Sequence, residues 1–270
     1  MLCDCTPPRS GDPEALDRVA VVEADYICVA YNPGKIPRAN SVTTAHIIRE
    51  RTGRDVVFNV ATRDMNKLAI QSQLLGAQMM KLQNVVALQG DGFTDAETKQ
   101  VKLVDDFTST GLIEALSEMN NGLDYRGSKM RGTTDFCIGA TLDLERDLVR
   151  EVKLAHRKIK AGAHFFITQP IYDLNLRQRF LDEYEIQAGN PFATPVFWGL
   201  QVLDKDGIAL GNVPPQMRHQ LDSGKSGTEI ASELLQSYVV AGVRGVYLVP
   251  PILRGGARDY DAAQQVLESV

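Results

Sequence analysis

Short apolar runs recur along the chain, and most end in a polar residue. Eight read as strands: Leu2–Thr6, Tyr26–Tyr31, Val56–Ala61, Asn84–Gln89, Phe136–Thr141, His164–Gln169, Val196–Leu203 and Gly245–Val249. Most are continuous rather than alternating, the pattern of strands covered on both faces. The first run meets Pro7-Pro8, and proline cannot donate to a sheet ladder, so the strand stops there. Asp4 therefore lies inside or near the end of a buried strand. A carboxylate in that position needs a partner or a task, because burying an unpaired charge is costly.

Between the runs the period changes to that of helices. Val42–Arg51 follows the cap signal Asn40-Ser41, and Leu112–Met119 follows Ser109-Thr110. Asn66–Met80 places Leu68, Leu75 and Met79 on one stripe. Leu144–Lys160 spaces Leu144, Leu148, Val152, Ala155 and Ile159 by three and four. Leu174–Ala188, Gly227–Ala241 and Asp259–Val270 complete the set, and Asp12–Val22 fills the first gap. Strand-helix alternation predicts a parallel sheet. Eight such units fit the size of a (β/α)8 TIM barrel, at about 250 residues. The rival is an open doubly wound sheet, but no strand leads into a G-x-G-x-x-G turn. No linker interrupts the pattern, so residues 1–270 read as one barrel domain. Two irregular stretches lie within the fourth connection, Gly92–Thr108 after strand four and Asn121–Thr134 before strand five; the first would overlie the active face.

Composition narrows the function classes. A net charge of −5 without a basic block gives no electrostatic footprint for nucleic acid. No run reaches membrane-spanning length, and nothing near Met1 resembles a signal peptide. Cys3, Cys5, Cys28 and Cys137 form no C-x-x-C pair. Cys3-x-Cys5 is too tight for a standard zinc knuckle, and Cys28 and Cys137, in apolar runs, read as small hydrophobes, which suits a reducing cytoplasm, with no targeting extension before the domain.

In a barrel, chemistry gathers where strands end and enter their helices. Those positions hold Asp4, Tyr31-Asn32, Asn59, Thr62-Arg63-Asp64, Gln89-Gly90-Asp91, Thr141-Asp143, Thr168-Gln169 and Arg254. None is a His or Cys suited to a metal or a nucleophile. His46 and His156 fall within helices, His164 begins a strand, and His219 lies in a polar segment, so no pair has ligand spacing. Gln89-Gly90-Asp91-Gly92 lets backbone approach a ligand and aims a carboxylate into the mouth, unless it is an ordinary turn. Thr168-Gln169 ends a buried strand in an amide that can read a heterocycle edge or satisfy nearby backbone. Asp64 is suited to cap the following helix and Arg63 to pair locally. Lys158 sits late in a helix, a place for a solvent-facing or dipole-facing lysine.

The order of these motifs resembles the methylenetetrahydrofolate reductase family. The likeness rests on Asp4-Cys5-Thr6-Pro7-Pro8-Arg9, Thr62-Arg63-Asp64, Gln89-Gly90-Asp91, Asp135-Phe136-Cys137-Ile138-Gly139-Ala140, and Ala161-Gly162-Ala163 through Thr168-Gln169. The resemblance implies reduction of 5,10-methylenetetrahydrofolate to 5-methyltetrahydrofolate, or the reverse oxidation. Asp4 takes the place of the family's acidic glutamate, and Asp91 that of the carboxylate beside pterin and flavin. Gln169 takes the place of the pterin-binding amide, with Thr168, Tyr31 and Asn59 as further substrate contacts. Gln89, Thr141, Lys158 and Arg63 fall at cofactor contacts. Several of these depart from the family pattern. Ala30 replaces a hydroxyl residue, Asn59 a histidine, Gln89 an arginine, Thr141 a tyrosine and Leu154 an asparagine. The expectation is weak or absent flavin binding, with NADH or NADPH in the cavity directly. The resemblance leaves a homo-oligomer open and implies no control by the C-terminal regulatory domain of the eukaryotic enzymes. Two other classes compete: a catalytically weak folate-binding barrel serving a partner, and a lyase or aldolase, which lacks its strand-end lysine here.

Overall fold

The computed structural model describes residues 1–269, so the last residue of the expected Asp259–Val270 helix lies outside it. Eight parallel strands close a barrel in chain order. They are β1 (Leu2–Cys5), β2 (Tyr26–Val29), β3 (Asp55–Ala61), β4 (Asn84–Leu88), β5 (Cys137–Leu142), β6 (Phe165–Pro170), β7 (Val196–Gln201) and β8 (Val246–Val249). Closure joins β8 to β1 through Leu2–Tyr247 and Cys3–Leu248. Around the barrel run α1 (Ser41–Thr52), α2 (Lys67–Met79), α3 (Ser109–Asn120), α4 (Leu148–Lys160), α5 (Leu174–Ala188), α6 (Pro215–Asp222), α7 (Gly227–Val240) and α8 (Tyr260–Leu267).

Strand periodicity decides what enters the lumen. Leu2, Cys28, Val57, Val86, Phe165 and Ile167 form one buried inner cluster, with Tyr26, Phe197 and Tyr247 packed against it. Phe197 meets Tyr26 and Phe165 edge to face. Gly139 faces the same layer: a Cβ there would lie 2.4 Å from the Phe165 ring and 2.8 Å from Val86. At the level of Gly139 the plug is thus too full for β5 to add a side chain, although Cys137, two residues earlier, packs against the cluster. Two residues further along four strands, the inward positions become Asp4, Asn59, Thr141 and Gln169. An apolar plug topped by a polar ring follows from the two-residue repeat.

Four local expectations differ. Residues 13–21 are a 3-10 helix rather than an α-helix; the buried positions Leu16, Val19 and Val22 recur every three residues, the 3-10 period. On α2 the buried face is Ile70, Leu74 and Ala77, whereas Leu68, Leu75 and Met79 are 64%, 44% and 86% exposed. That helix has apolar residues on several sides, and the barrel selects the other stripe. α4 begins only at Leu148, because Asp147 caps it by accepting from Arg150 N at 2.8 Å. The short α6 is new; none of its residues is buried, so no apolar stripe marked it.

Candidate active site

The polar ring opens into two adjoining cavities at the C-terminal ends of the strands. The outer one, of 340 Å³, includes Tyr31, Arg63, Gln89, Asp91 and Lys158 in its wall. The inner one, of 130 Å³, includes Asp4, Thr168, Tyr247 and Arg258. Asn59, Leu88, Thr141 and Gln169 line both. The ten residues that the resemblance puts at acid, substrate and cofactor positions therefore line one or other of two adjoining cavities, with Asp4 in the inner, Asp91 in the outer and Gln169 in both.

Asp4 is 3% exposed. Its two oxygens are both acceptors: Tyr247 OH donates to Oδ1 at 2.7 Å, and Arg258 Nε to Oδ2 at 2.9 Å. Burial pushes the Tyr247 phenol well above its ordinary range, and the adjacent Asp4 carboxylate adds to the shift. Burial opposes the charge on Arg258, but Asp4 more than compensates, and its pKa rises.

Tyr247 and Arg258 were not singled out from sequence. The strand-end rule pointed past β8 to Arg254, which instead pairs with Asp206 on the surface at 2.8 Å. Beyond it the chain folds back, bridging Ile252 to Arg258 through Gly255 and Gly256 at φ +88° and +87°. The Gly-Gly pair was the available signal of a reversal that returns the next basic residue to the barrel.

In the outer cavity Arg63 is 4% exposed. It grips Asp64 with two bonds of 2.6 and 2.7 Å, donates to the Asp91 carbonyl at 3.1 Å, and stacks 4.9 Å over Phe93. The local pairing expected of Arg63 is present, but Asn66, not Asp64, caps α2. Burial and the Asp64 carboxylate push the Tyr31 phenol up to about 12. Gly90, at φ +87°, turns the chain into the mouth and leaves the Asp91 side chain exposed in the wall. The Gln89 amide is exposed and reaches Asp105 at 3.4 Å.

Lys158 is neither solvent-facing nor merely dipole-facing: it is 2% exposed, and Nζ donates to the Thr141 carbonyl at 2.5 Å. It lies on the same α4 face as Glu151, Val152 and Ala155, the face that packs inward. Burial lowers its pKa to about 8, opposed by Glu151 and helped by Arg146 and Arg157. The Thr168 hydroxyl is engaged inside the wall, donating to Gln169 O and accepting from Gly199 N, both at 2.7 Å. Its work is to hold the register shift between β6 and β7. Gly199 is obligatory there, since a Cβ would lie 2.6 Å from the Gln169 backbone. Among the described residues no cluster of three His, Cys, Asp or Glu side chains could hold a metal. Nor is any described helix long and apolar enough to cross a membrane.

Comparison with known proteins agrees with this geometry. No curated protein matches the chain at a significant level. Among solved structures, a similar one is an uncharacterized protein from Clostridium thermocellum that binds two copies of 5-methyl-5,6,7,8-tetrahydrofolic acid. Its TM-score is 0.67 at 11% identity, covering 100% of this chain and 93% of that one. A long-chain alkane monooxygenase follows, with TM-score 0.54 at 9% identity and coverage of 99% and 90%. At such identities the likeness speaks for the fold alone. The sequence pattern of methylenetetrahydrofolate reductase matches residues 4–203, a span that holds Asp4, Asp91 and Gln169, and the chain belongs to that family.

Proposed function

We propose that this protein interconverts 5,10-methylenetetrahydrofolate and 5-methyltetrahydrofolate, exchanging hydride with NADH or NADPH. The observation that carries the reading is the buried Asp4 carboxylate in a cavity that shares Gln169 with the adjoining one lined by Asp91. In the reductive direction a proton reaches the nitrogen that leaves the methylene carbon, the five-membered ring opens to an iminium, and hydride adds to that carbon. In the oxidative direction hydride leaves the methyl group, the nitrogen closes on the carbon, and its proton passes to the protein. Gln169 offers both a donor and an acceptor to the pterin edge. The exposed Asp91 carboxylate favours the cationic iminium electrostatically. Asp4 handles the proton. Both its oxygens accept hydrogen bonds, so in either direction it can carry the proton on Oδ1 only while the Tyr247 hydroxyl turns away.

Family members generally bind flavin adenine dinucleotide, and the residues here fit it poorly. The arginines of the two cavities are already engaged: Arg63 with Asp64, Arg146 with Asp143, Arg258 with Asp4. Lys158 is tied to a carbonyl. A doubly charged pyrophosphate inside the cavity would find no free cation, and Thr141 and Leu154 offer neither an aromatic face nor an amide. A nicotinamide needs only its ring inside, with its phosphates directed outward.

The second reading is a folate-binding barrel of weak activity, favoured by the engagement of both Asp4 oxygens. One experiment separates them: purify the protein, record its visible spectrum, and mix it with methylenetetrahydrofolate and NADH or NADPH. Folate-dependent NAD(P)H oxidation by a colourless protein is the expected result. Folate binding without turnover would favour the second reading, and stoichiometric co-purifying flavin would overturn the cofactor assignment.

A further inference from the structure

Arg9 and Arg38 line neither cavity but stand in the loops after β1 and β2, at the same end of the barrel, and among the described residues neither has a carboxylate partner, whereas Arg63, Arg146, Arg254 and Arg258 all do. Three loops bring them together. Arg38 Nη1 donates to the Pro7 carbonyl at 2.9 Å, and Ala39 N donates to the Pro8 carbonyl at 2.9 Å. The loop after β2 is thereby fastened to the loop after β1, beside Arg9. The hairpin after β8 closes from the third side, where a Cβ on Gly256 would lie 3.2 Å from Arg38 Nη2. Two residues on, that hairpin carries Arg258 to Asp4.

We propose that Arg9 and Arg38 form a binding site for a dianionic group, a pair of carboxylates or a phosphate, at the outer end of a ligand whose ring occupies the cavity. Three guanidinium groups gather here, and among the described residues only Arg258 of the three is in an ion pair, with Asp4, which leaves Arg9 and Arg38 unpaired in a chain of net charge −5. Arg38 Nε is buried without a hydrogen-bond partner, so the guanidinium's donors are not all spent within the chain. The field agrees: burial, then Arg258 and Arg9, lower the pKa of Arg38, so the cluster repels itself until an anion arrives. Guanidinium forks suit carboxylate and phosphate oxygens equally well. The choice of ring ligand rests on the proposed function, which offers two sources. One is the glutamate end of a folate, with two carboxylates, and the other is a phosphate of the nicotinamide dinucleotide.

The test needs no turnover, so it stands apart from the test of the proposed reaction. Titrate the full chain by calorimetry with p-aminobenzoylglutamate, which carries the carboxylates without the pterin, and with adenosine 2′,5′-bisphosphate, which carries phosphates without the nicotinamide. At least one probe is expected to bind wild type, more weakly as salt rises. Arg38→Gln and Arg9→Gln should each weaken that probe by about tenfold to a hundredfold, with Arg38→Lys intermediate. Arg9 is exposed, so its variant keeps the test sound if Arg38→Gln fails to fold. A response to the first probe alone assigns the site to the folate end, and to the second alone, to the dinucleotide. If neither probe binds wild type, or the double variant binds as tightly as wild type, the proposal is wrong.

Discussion

Replacing Arg258 by glutamine should remove one partner of a buried ion pair and leave Asp4 with Tyr247 alone. The side chains of Arg258 and Asp4 are 8% and 5% exposed and meet at 2.9 Å. Stranding one charge of such a pair costs about 3–5 kcal/mol, against about 0–1 kcal/mol for an exposed pair. With an unfolding entropy of about 2.1 cal/mol/K per residue, a chain of this length should lose about 5–9 °C of melting temperature. Urea unfolding of wild type, Arg258→Gln, Asp4→Asn and the double variant gives the coupling directly. The double variant holds two neutral groups of similar shape, so it should recover at least about 2 kcal/mol relative to the sum of the singles. Strict additivity, or an Arg258→Gln cost below about 1 kcal/mol, would show that the pair does not fix Asp4.

Three further outcomes follow from the same geometry. Asp4→Asn should lower turnover by about 100- to 10,000-fold with folate binding nearly intact, and Asp4→Glu should also be impaired because Tyr247 and Arg258 are set for the shorter acid; full activity in Asp4→Asn removes it from the mechanism. Lys158 has a folded pKa of about 8 against an ordinary 10.5, so the unfolded chain binds more protons between those values and stability should climb as pH rises through that window. Below it the cost is fully present, at about 3 kcal/mol, and Lys158→Met should abolish the climb; an unchanged pH profile of urea midpoints would contradict this. Gly139→Ala should cost about 1–3 kcal/mol by overpacking against Phe165 and Val86, and a melting temperature equal to wild type would show that the lumen has room.

The strands were legible because their two-sided burial leaves continuous apolar runs with few competing readings. Val196–Leu203, for example, contains the observed β7 with two extra residues. The candidate site was legible for a related reason: polar residues such as Asn59 and Gln169 stand out at the ends of apolar strands. Helix faces were harder. Asn66–Met80 carries apolar residues on several sides, and only the curvature of the barrel decides that Leu74 goes in and Leu75 stays out. For Lys158 the ordinary explanation of a lysine in the last turn of a helix, a solvent-facing or dipole-facing place, hides its burial. Its spacing of seven from Glu151 and three from Ala155 marked the inner face nonetheless.

Arg258 shows a different kind of gap. The family pattern spans residues 4–203 and so contains Asp4, but both hydrogen-bond partners of Asp4 come from β8 and the hairpin behind it. A comparison by motif transfers the acid without the groups that set its state. For the role proposed for Asp4 that omission matters more than usual, because Asp4 is one methylene shorter than the glutamate whose place the resemblance gives it. Its carboxylate is held back toward the barrel wall, where Tyr247 and Arg258 already claim both oxygens. The shorter side chain and its two partners form one unit, which the closing of β8 onto β1 assembles from opposite ends of the chain. On the proposed role of Asp4, proton handling would therefore be set by the last strand as much as by the first.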